Sequence, residues 1–304
     1  MSERSKGMAL CAMAMVTVGS TVVASKTIAA GLPPFTATAL RFAIAFPLLW
    51  LWMRYTRTPF PRPCRGDVLL LLCQACLGSV GYTVLLITGL RWTSAADAGV
   101  VAGTLPAVTA LVAVLLLRER PGGFLWGGIA LATSGVLAIN LATGARAASQ
   151  HTAYAGNLLV LGAVFCEALF ILLNKRLRVA LPPAALAMLM TGLGFAVALV
   201  PAAFESAWTR PLPAAALAAV VYYALVPTVA GFLLWFAGAA RVRGAEAALF
   251  TALLPVSALA LAAIWLGEVV SGVQMAGAAC VLGAVGLTSL DAWRRDGGPP
   301  LNPK

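Results

Sequence analysis

The chain has 304 residues, 61% hydrophobic and only 10% charged, with 21 lysines and arginines against 10 acidic residues for a net charge of +11. An ordinary soluble domain carries about 25% charged residues, so a soluble globular fold is excluded and a membrane protein is implied. One histidine leaves no Ser-His-Asp triad or histidine-rich metal site inside a membrane.

A helix crosses a hydrocarbon core of roughly 30 Å in about 20 residues. In chain order, uncharged runs of suitable length cover 7–25, 68–90, 98–117, 121–145, 179–204, 211–240, 247–267 and 269–290. Two more stretches, 35–53 and 156–173, hold one internal charge each, Arg41 and Glu167. Ten spans are therefore predicted. The apolar runs are continuous, which favours helices over the alternating strands of a barrel. The first span follows Arg4 and Lys6 like a signal peptide, but it is long and nine more follow, so it reads as retained.

Loop charges alternate along the chain. One set of loops holds sixteen basic residues, among them Arg54, Arg57, Arg118, Arg120, Arg176, Arg178, Arg241 and Arg294, while the other holds only Lys26, Arg91, Arg146 and Arg210. By the positive-inside rule this places both termini in the cytoplasm of a multi-pass protein of the cell inner (plasma) membrane. The basic balance is thus a topology signal and does not point to nucleic acid. Cys73 and Cys76 form a CxxC pair on a span with no second ligand pair, which reads as packing.

A displacement of 149 residues lays the chain on itself: Lys26 falls on Lys175, Pro33-Pro34 on Pro182-Pro183, Gly89 on Gly238, Pro106 on Pro255 and Glu119 on Glu268. Five spans per copy is an odd number, so the second copy enters the bilayer from the opposite side, an arrangement found mostly in transporters. The fold class is an all-α membrane protein of ten transmembrane helices in two inverted five-helix repeats. Residues 1–142 form the first repeat, 143–155 a linker, 156–290 the second repeat and 291–304 a cytoplasmic tail.

Glu167 falls near mid-bilayer, where a carboxylate costs about 3 kcal/mol on insertion scales and usually faces a wet cavity or a partner. Two readings stay open: a contact for a substrate ammonium or a coupling proton, and a protonated acid bonded to a neighbouring helix. Its repeat mate is Val18. Gln74, Gly78, Gly81 and Tyr82 share one stripe, matched by Tyr223, Pro227, Ala230 and Gly231. Polar rings beside small residues predict helices facing a hollow. Thr104, Phe170, Trp235, Phe250 and Thr251 are further cavity candidates at comparable depth. Pro106 and Pro255 are predicted hinges, since each removes a backbone donor in mid-span. Arg41, about six residues from the outer end of its span, is expected to snorkel to the interface. Glu119 and Glu268 read as interface residues tied to a nearby loop or arginine. Asp97 and Glu246 complement helix N-termini.

Thr93-Ser94-Ala95-Ala96-Asp97-Ala98, Leu105-Pro106, Glu119 and Gly127-Gly128, with the copy Ala245-Glu246-Ala247-Ala248, Leu254-Pro255, Gly267-Glu268 and Gly277, resemble the EamA-type repeat of the drug/metabolite transporter superfamily. Pro33-Pro34 followed by Leu40-Arg41-Phe42 fits the same pattern; Met190 stands where a second Arg41 would fall. The chain looks most like the YddG-type exporters of aromatic amino acids. That resemblance implies a central cavity lined mainly by spans 1, 3, 4, 6, 8 and 9, with spans 5 and 10 outside, and export by alternating access. It implies a small-molecule substrate, an aromatic or apolar amino acid, with membrane lipid around the protein, no cofactor, no metal, no nucleic acid and no obligatory protein partner. Cationic drugs or other metabolites are the alternative cargo. A channel or a membrane sensor is the alternative of another class. No phosphate-loop motif is present, and no enzymatic activity is expected.

Overall fold

The computed structural model describes residues 3–60, 64–117, 123–144, 150–174, 176–179, 181–205, 212–242, 250–251 and 253–295. Thirteen α-helices occur among them, with no strand: α1 (Glu3–Ala29), α2 (Pro34–Tyr55), α3 (Arg65–Gln74), α4 (Tyr82–Gly89), α5 (Ala95–Ala102), α6 (Leu105–Leu117), α7 (Gly123–Gly144), α8 (Gln150–Asn174), α9 (Pro183–Phe204), α10 (Ala214–Tyr223), α11 (Gly231–Ala239), α12 (Leu253–Leu266) and α13 (Gly272–Arg295). Six spans are long and apolar enough to cross a membrane, and α5 with α6 makes a seventh bent by 41°. Three shorter apolar helices, Trp126–Ala138, Leu253–Leu266 and Gly272–Leu287, fall on the remaining predicted spans. Residues 118–122, 243–249 and 252, which flank the fifth and ninth spans, lie outside the described residues, as do the predictions for Glu119 and Glu246.

The third and eighth predicted spans are each one helix interrupted by a π-helical turn, Ala75–Gly81 and Ala224–Ala230. The two turns are 149 residues apart, as are the starts of α2 and α9, of α3 and α10, and of α7 and α13. In the second turn Pro227 lacks the N–H that would bond the carbonyl of Tyr223, and the Thr228 hydroxyl donates to that carbonyl instead at 2.9 Å. A helix that widens at this point turns residues 78–79 and 227–228 inward.

Packing follows the repeat. α2 lies along its own copy α9, and α7 along its copy α13; α1 packs on α11 and α12, while its copy α8 packs on α4 and α6. Close approach needs glycine at two matched places. A Cβ on Gly89 would stand 2.8 Å from the Gly156 carbonyl oxygen, and one on Gly238 would stand 3.0 Å from that of Gly7. Gly7 and Gly156 are repeat mates, so these are one contact made twice. The Lys26 ammonium at the far end of α1 donates to the carbonyls of Leu90 (2.8 Å) and Thr93 (2.6 Å). Gly7 and Lys26 are separated by nineteen residues of α1, about 28 Å at 1.5 Å per residue. The two versions of the glycine contact therefore sit near opposite ends of α1.

The two ends of the bundle are fastened differently. At the end where α2 and α5 begin, Glu205 accepts from the Phe35 and Thr36 backbone N–H groups (3.1 and 2.7 Å) and the Thr36 hydroxyl (2.7 Å). Glu268 accepts from Ala95 and Ala96 N–H at 3.0 and 2.9 Å. Both carboxylates come from the second half and satisfy the orphan donors of a first-half helix N-terminus. Gln274 reaches Asp97 there at 2.8 Å, and Arg91 donates to the Leu32 carbonyl at 3.0 Å. At the other end Glu3 pairs with Lys6 (2.8 Å) and Arg241 (3.2 Å). Those two partners hold the Glu3 carboxyl below the usual carboxylate range. Each cluster joins loops of only one of the two charge sets.

Candidate functional site: a charged cavity between the halves

Between the halves lies a cavity of about 150 Å³ whose wall is drawn from both copies in register. Val18 and Glu167, Thr21 and Phe170, Arg41 and Met190, Phe42 and Thr191, Gly78 and Pro227, Ser79 and Thr228, Thr83 and Phe232, and Leu105 and Leu254 are all repeat mates that line it. The backbone frame is thus shared, but the chemistry is not. Each charge faces an apolar mate: Arg41 has Met190 and Glu167 has Val18. A larger hollow of about 330 Å³ between α1, α10 and α12 holds no ionisable group apart from the Tyr222 phenol; the smaller cavity is the site because Arg41 and Glu167, the two charges internal to predicted spans, both line it.

Arg41 is 7% exposed. Its Nη2 donates to the Thr83 hydroxyl at 2.9 Å, which in turn donates to the Ser79 carbonyl at 2.8 Å. The guanidinium lies over the rings of Phe42 and Tyr223, 4.2 and 4.4 Å from their centroids. Each such contact is worth about 0.5–2 kcal/mol. Its Nε has no hydrogen-bond partner among the described residues. Side-chain ion pairs within 4.0 Å there are confined to Glu3 with Lys6 and Arg241. Arg41 and Glu167 thus line one cavity without forming such a pair.

Four sequence candidates meet here: Tyr82, Glu167, Phe170 and Tyr223 all line the cavity. Gly78 makes room for Phe170, since a Cβ on it would stand 2.5 Å from that ring. Five candidates lie elsewhere. Gln74 is fully buried at the end of α3, outside the wall, with neither amide atom partnered among the described residues. Thr104 donates to the Val101 carbonyl at 2.7 Å and borders a separate hollow of about 100 Å³. Trp235, Phe250 and Thr251 are half-buried and outside the cavity wall. Pro106 follows the break between α5 and α6, and Pro255 packs where a Cβ on Gly103 would stand 2.8 Å away.

Two expectations are corrected. Arg41 does not snorkel: pairing of α2 with α9 turns it inward, where two aromatic faces and Thr83 solvate it. Spans 2 and 7 accordingly join the cavity wall through Arg41, Phe42, Met190 and Thr191. The signal that marks Arg41 from sequence is its mate, because a cation in one copy against Met190 in the other breaks the repeat where an interface arginine would have no reason to.

A polytopic helical protein with a largely apolar cavity bearing two charged side chains on the seam of two matched halves has an architecture met mostly in membrane transporters. The sequence matches the EamA-like transporter family over residues 5–141 and again over 154–290, and the chain belongs to that family. It is 34% identical to the uncharacterized transporter YetK of Bacillus subtilis (strain 168), covering 96% of this chain and 89% of that one. It is 31% identical to a probable terminal-alkyne amino-acid exporter of Streptantibioticus cattleyicolor, over 74% of each chain. A probable amino-acid metabolite efflux pump of Salmonella typhimurium (strain LT2) is 27% identical over 90% of this chain and 91% of its own. One protein of known crystal structure shares the fold with a TM-score of 0.63 at 20% identity, covering 97% of this chain and 99% of that one.

Proposed function

We propose that this protein exports hydrophobic and aromatic amino acids across the cell inner membrane by alternating access, as two inverted five-helix halves with both termini in the cytoplasm. The observation that carries the reading is the cavity on the seam: the buried Arg41 and the half-buried Glu167 in one wall with the rings of Tyr82, Phe170, Tyr223 and Phe232. Two relatives whose names speak of amino-acid export or efflux support the cargo class. The repeated glycine contact at opposite ends of α1 supports inversion, and the separate fastening of the two loop sets supports the topology.

In this scheme the contacts of Glu205, Glu268, Lys26 and Arg91 hold the proposed outer face closed. Its cavity of about 150 Å³ matches the space that admits a single benzene ring and is below the roughly 300 Å³ at which ligand pockets begin. A whole aromatic amino acid requires the halves to part. The 41° break ahead of Pro106 and the π turns are where helices can yield, and Pro106 and Pro255 serve as hinges in this scheme. Glu167 is the group through which a proton gradient would couple.

The test offers purified protein in liposomes a panel of labelled amino acids and cationic dyes, with and without a proton gradient. Saturable movement of phenylalanine, tryptophan or leucine is expected. Movement of dyes alone would replace the cargo, and ligand binding with no movement would make the protein a sensor.

A further inference from the structure

The geometry points to a zwitterion site within this cavity, in which Arg41 receives the carboxylate and Glu167 the ammonium of an α-amino acid. The inference rests on the amino-acid reading above and assigns the head-group chemistry within it. Arg41 donates to Thr83 through Nη2, lies against the Tyr223 ring and keeps Nε unpartnered among the described residues. A guanidinium is built to take a carboxylate through two parallel N–H groups. Holding it out of contact with a counter-charge is otherwise costly, because a buried charge lacks the water it had outside. Glu167 is the opposite charge lining the same cavity.

Charge arithmetic then selects the ligand. With Glu167 ionised, the empty site sums to zero. A zwitterion inserted between the two charges satisfies each locally and leaves the sum at zero, whereas an amine cation or a carboxylate anion leaves a net charge in the membrane interior. Polarity is fixed too, since no second arginine or carboxylate stands at the mate positions Met190 and Val18. The head group therefore has one orientation, with the side chain toward the rings of Phe170, Tyr82 and Phe232.

The experiment is competition against labelled phenylalanine counterflow in proteoliposomes at neutral pH, using phenylalanine, phenethylamine, which lacks the carboxylate, and 3-phenylpropionate, which lacks the amine. Wild type should prefer phenylalanine to either analogue by at least tenfold. Arg41→Met, which copies the mate residue, should erase the preference over phenethylamine and keep the preference over 3-phenylpropionate; Glu167→Gln should do the converse. Arg41→Lys keeps the charge and should retain part of the discrimination. The wild-type comparison needs no variant, so misfolding of Arg41→Met leaves the test intact. If amino acids move but both analogues compete as well as phenylalanine, the zwitterion pairing is wrong and the export reading stands. If no amino acid moves, both fall.

Discussion

Replacing Glu268 by alanine should loosen the proposed outer closure. Its carboxylate bridges two adjacent N–H groups at the start of α5, Ala95 and Ala96, at 3.0 and 2.9 Å, and Lys26 interacts with it electrostatically from α1. Loss of an N-terminal cap costs about 0.5–2 kcal/mol, and loss of a negative charge at the positive end of a helix adds about 0.3–1 kcal/mol. Because Glu268 is half-exposed, solvent takes over part of the work, and a net of about 1–2 kcal/mol is the working figure. That is roughly a 5- to 30-fold shift in the ratio of closed to open forms. A cysteine at Thr21 in the cavity wall, in a background without the six native cysteines, reports opening through its reaction with a membrane-impermeant maleimide from outside. Glu268→Ala should raise that rate by about 5- to 30-fold, and Glu268→Gln, which keeps the acceptor oxygen, by less. An unchanged rate would refute the idea that this cap holds the face shut, and faster labelling only from the cytoplasmic side would reverse the topology.

Gly78→Ala should force Phe170 out of its place, since the new Cβ would lie 2.5 Å from the ring; an overpacking cost of about 1–3 kcal/mol should appear as roughly tenfold weaker phenylalanine competition. Gly162→Ala, whose Cβ meets only Leu85 at 3.5 Å, should leave competition unchanged. Pro106→Ala restores a backbone donor beside the α5–α6 break and should slow counterflow without altering equilibrium binding; a matched loss of both would make the bend a static support. The pairing of Glu3 with Lys6 and Arg241 contributes above the ordinary glutamate range and is lost as pH falls through the depressed folded value. Arg241→Ala should return the Glu3 titration, followed by carbonyl NMR, toward the ordinary range.

Much of this was legible in the residues because duplication makes a sequence its own control. The period of 149 located the span pairs, and the stripe logic found Tyr82, Tyr223 and the small residues that become π turns. Depth along a span was a weaker guide. Counting residues from the outer end put Arg41 within reach of water, but the contact of α2 with α9 and the rings of Phe42 and Tyr223 turn it inward, and such a long-range pairing leaves no local trace. For the same reason Thr104, Trp235, Phe250 and Thr251 looked suitable by depth and Gln74 by its stripe, yet none of the five lines the hollow. Glu268 was legible as an interface residue, but its target on α5 was not. Glu205 carried no signal, because its mate is Thr56 and its acceptor role depends on the first half bringing the start of α2 to it.

Counterflow tests the central claim most directly. Liposomes holding the purified protein and preloaded with unlabelled phenylalanine should accumulate labelled phenylalanine transiently above its external level, and Glu167→Gln should abolish the response of net transport to an imposed proton gradient. Labelled phenylalanine that only equilibrates, with no overshoot at any preload, would show a pore without two-sided gating and contradict a carrier whose halves open in turn.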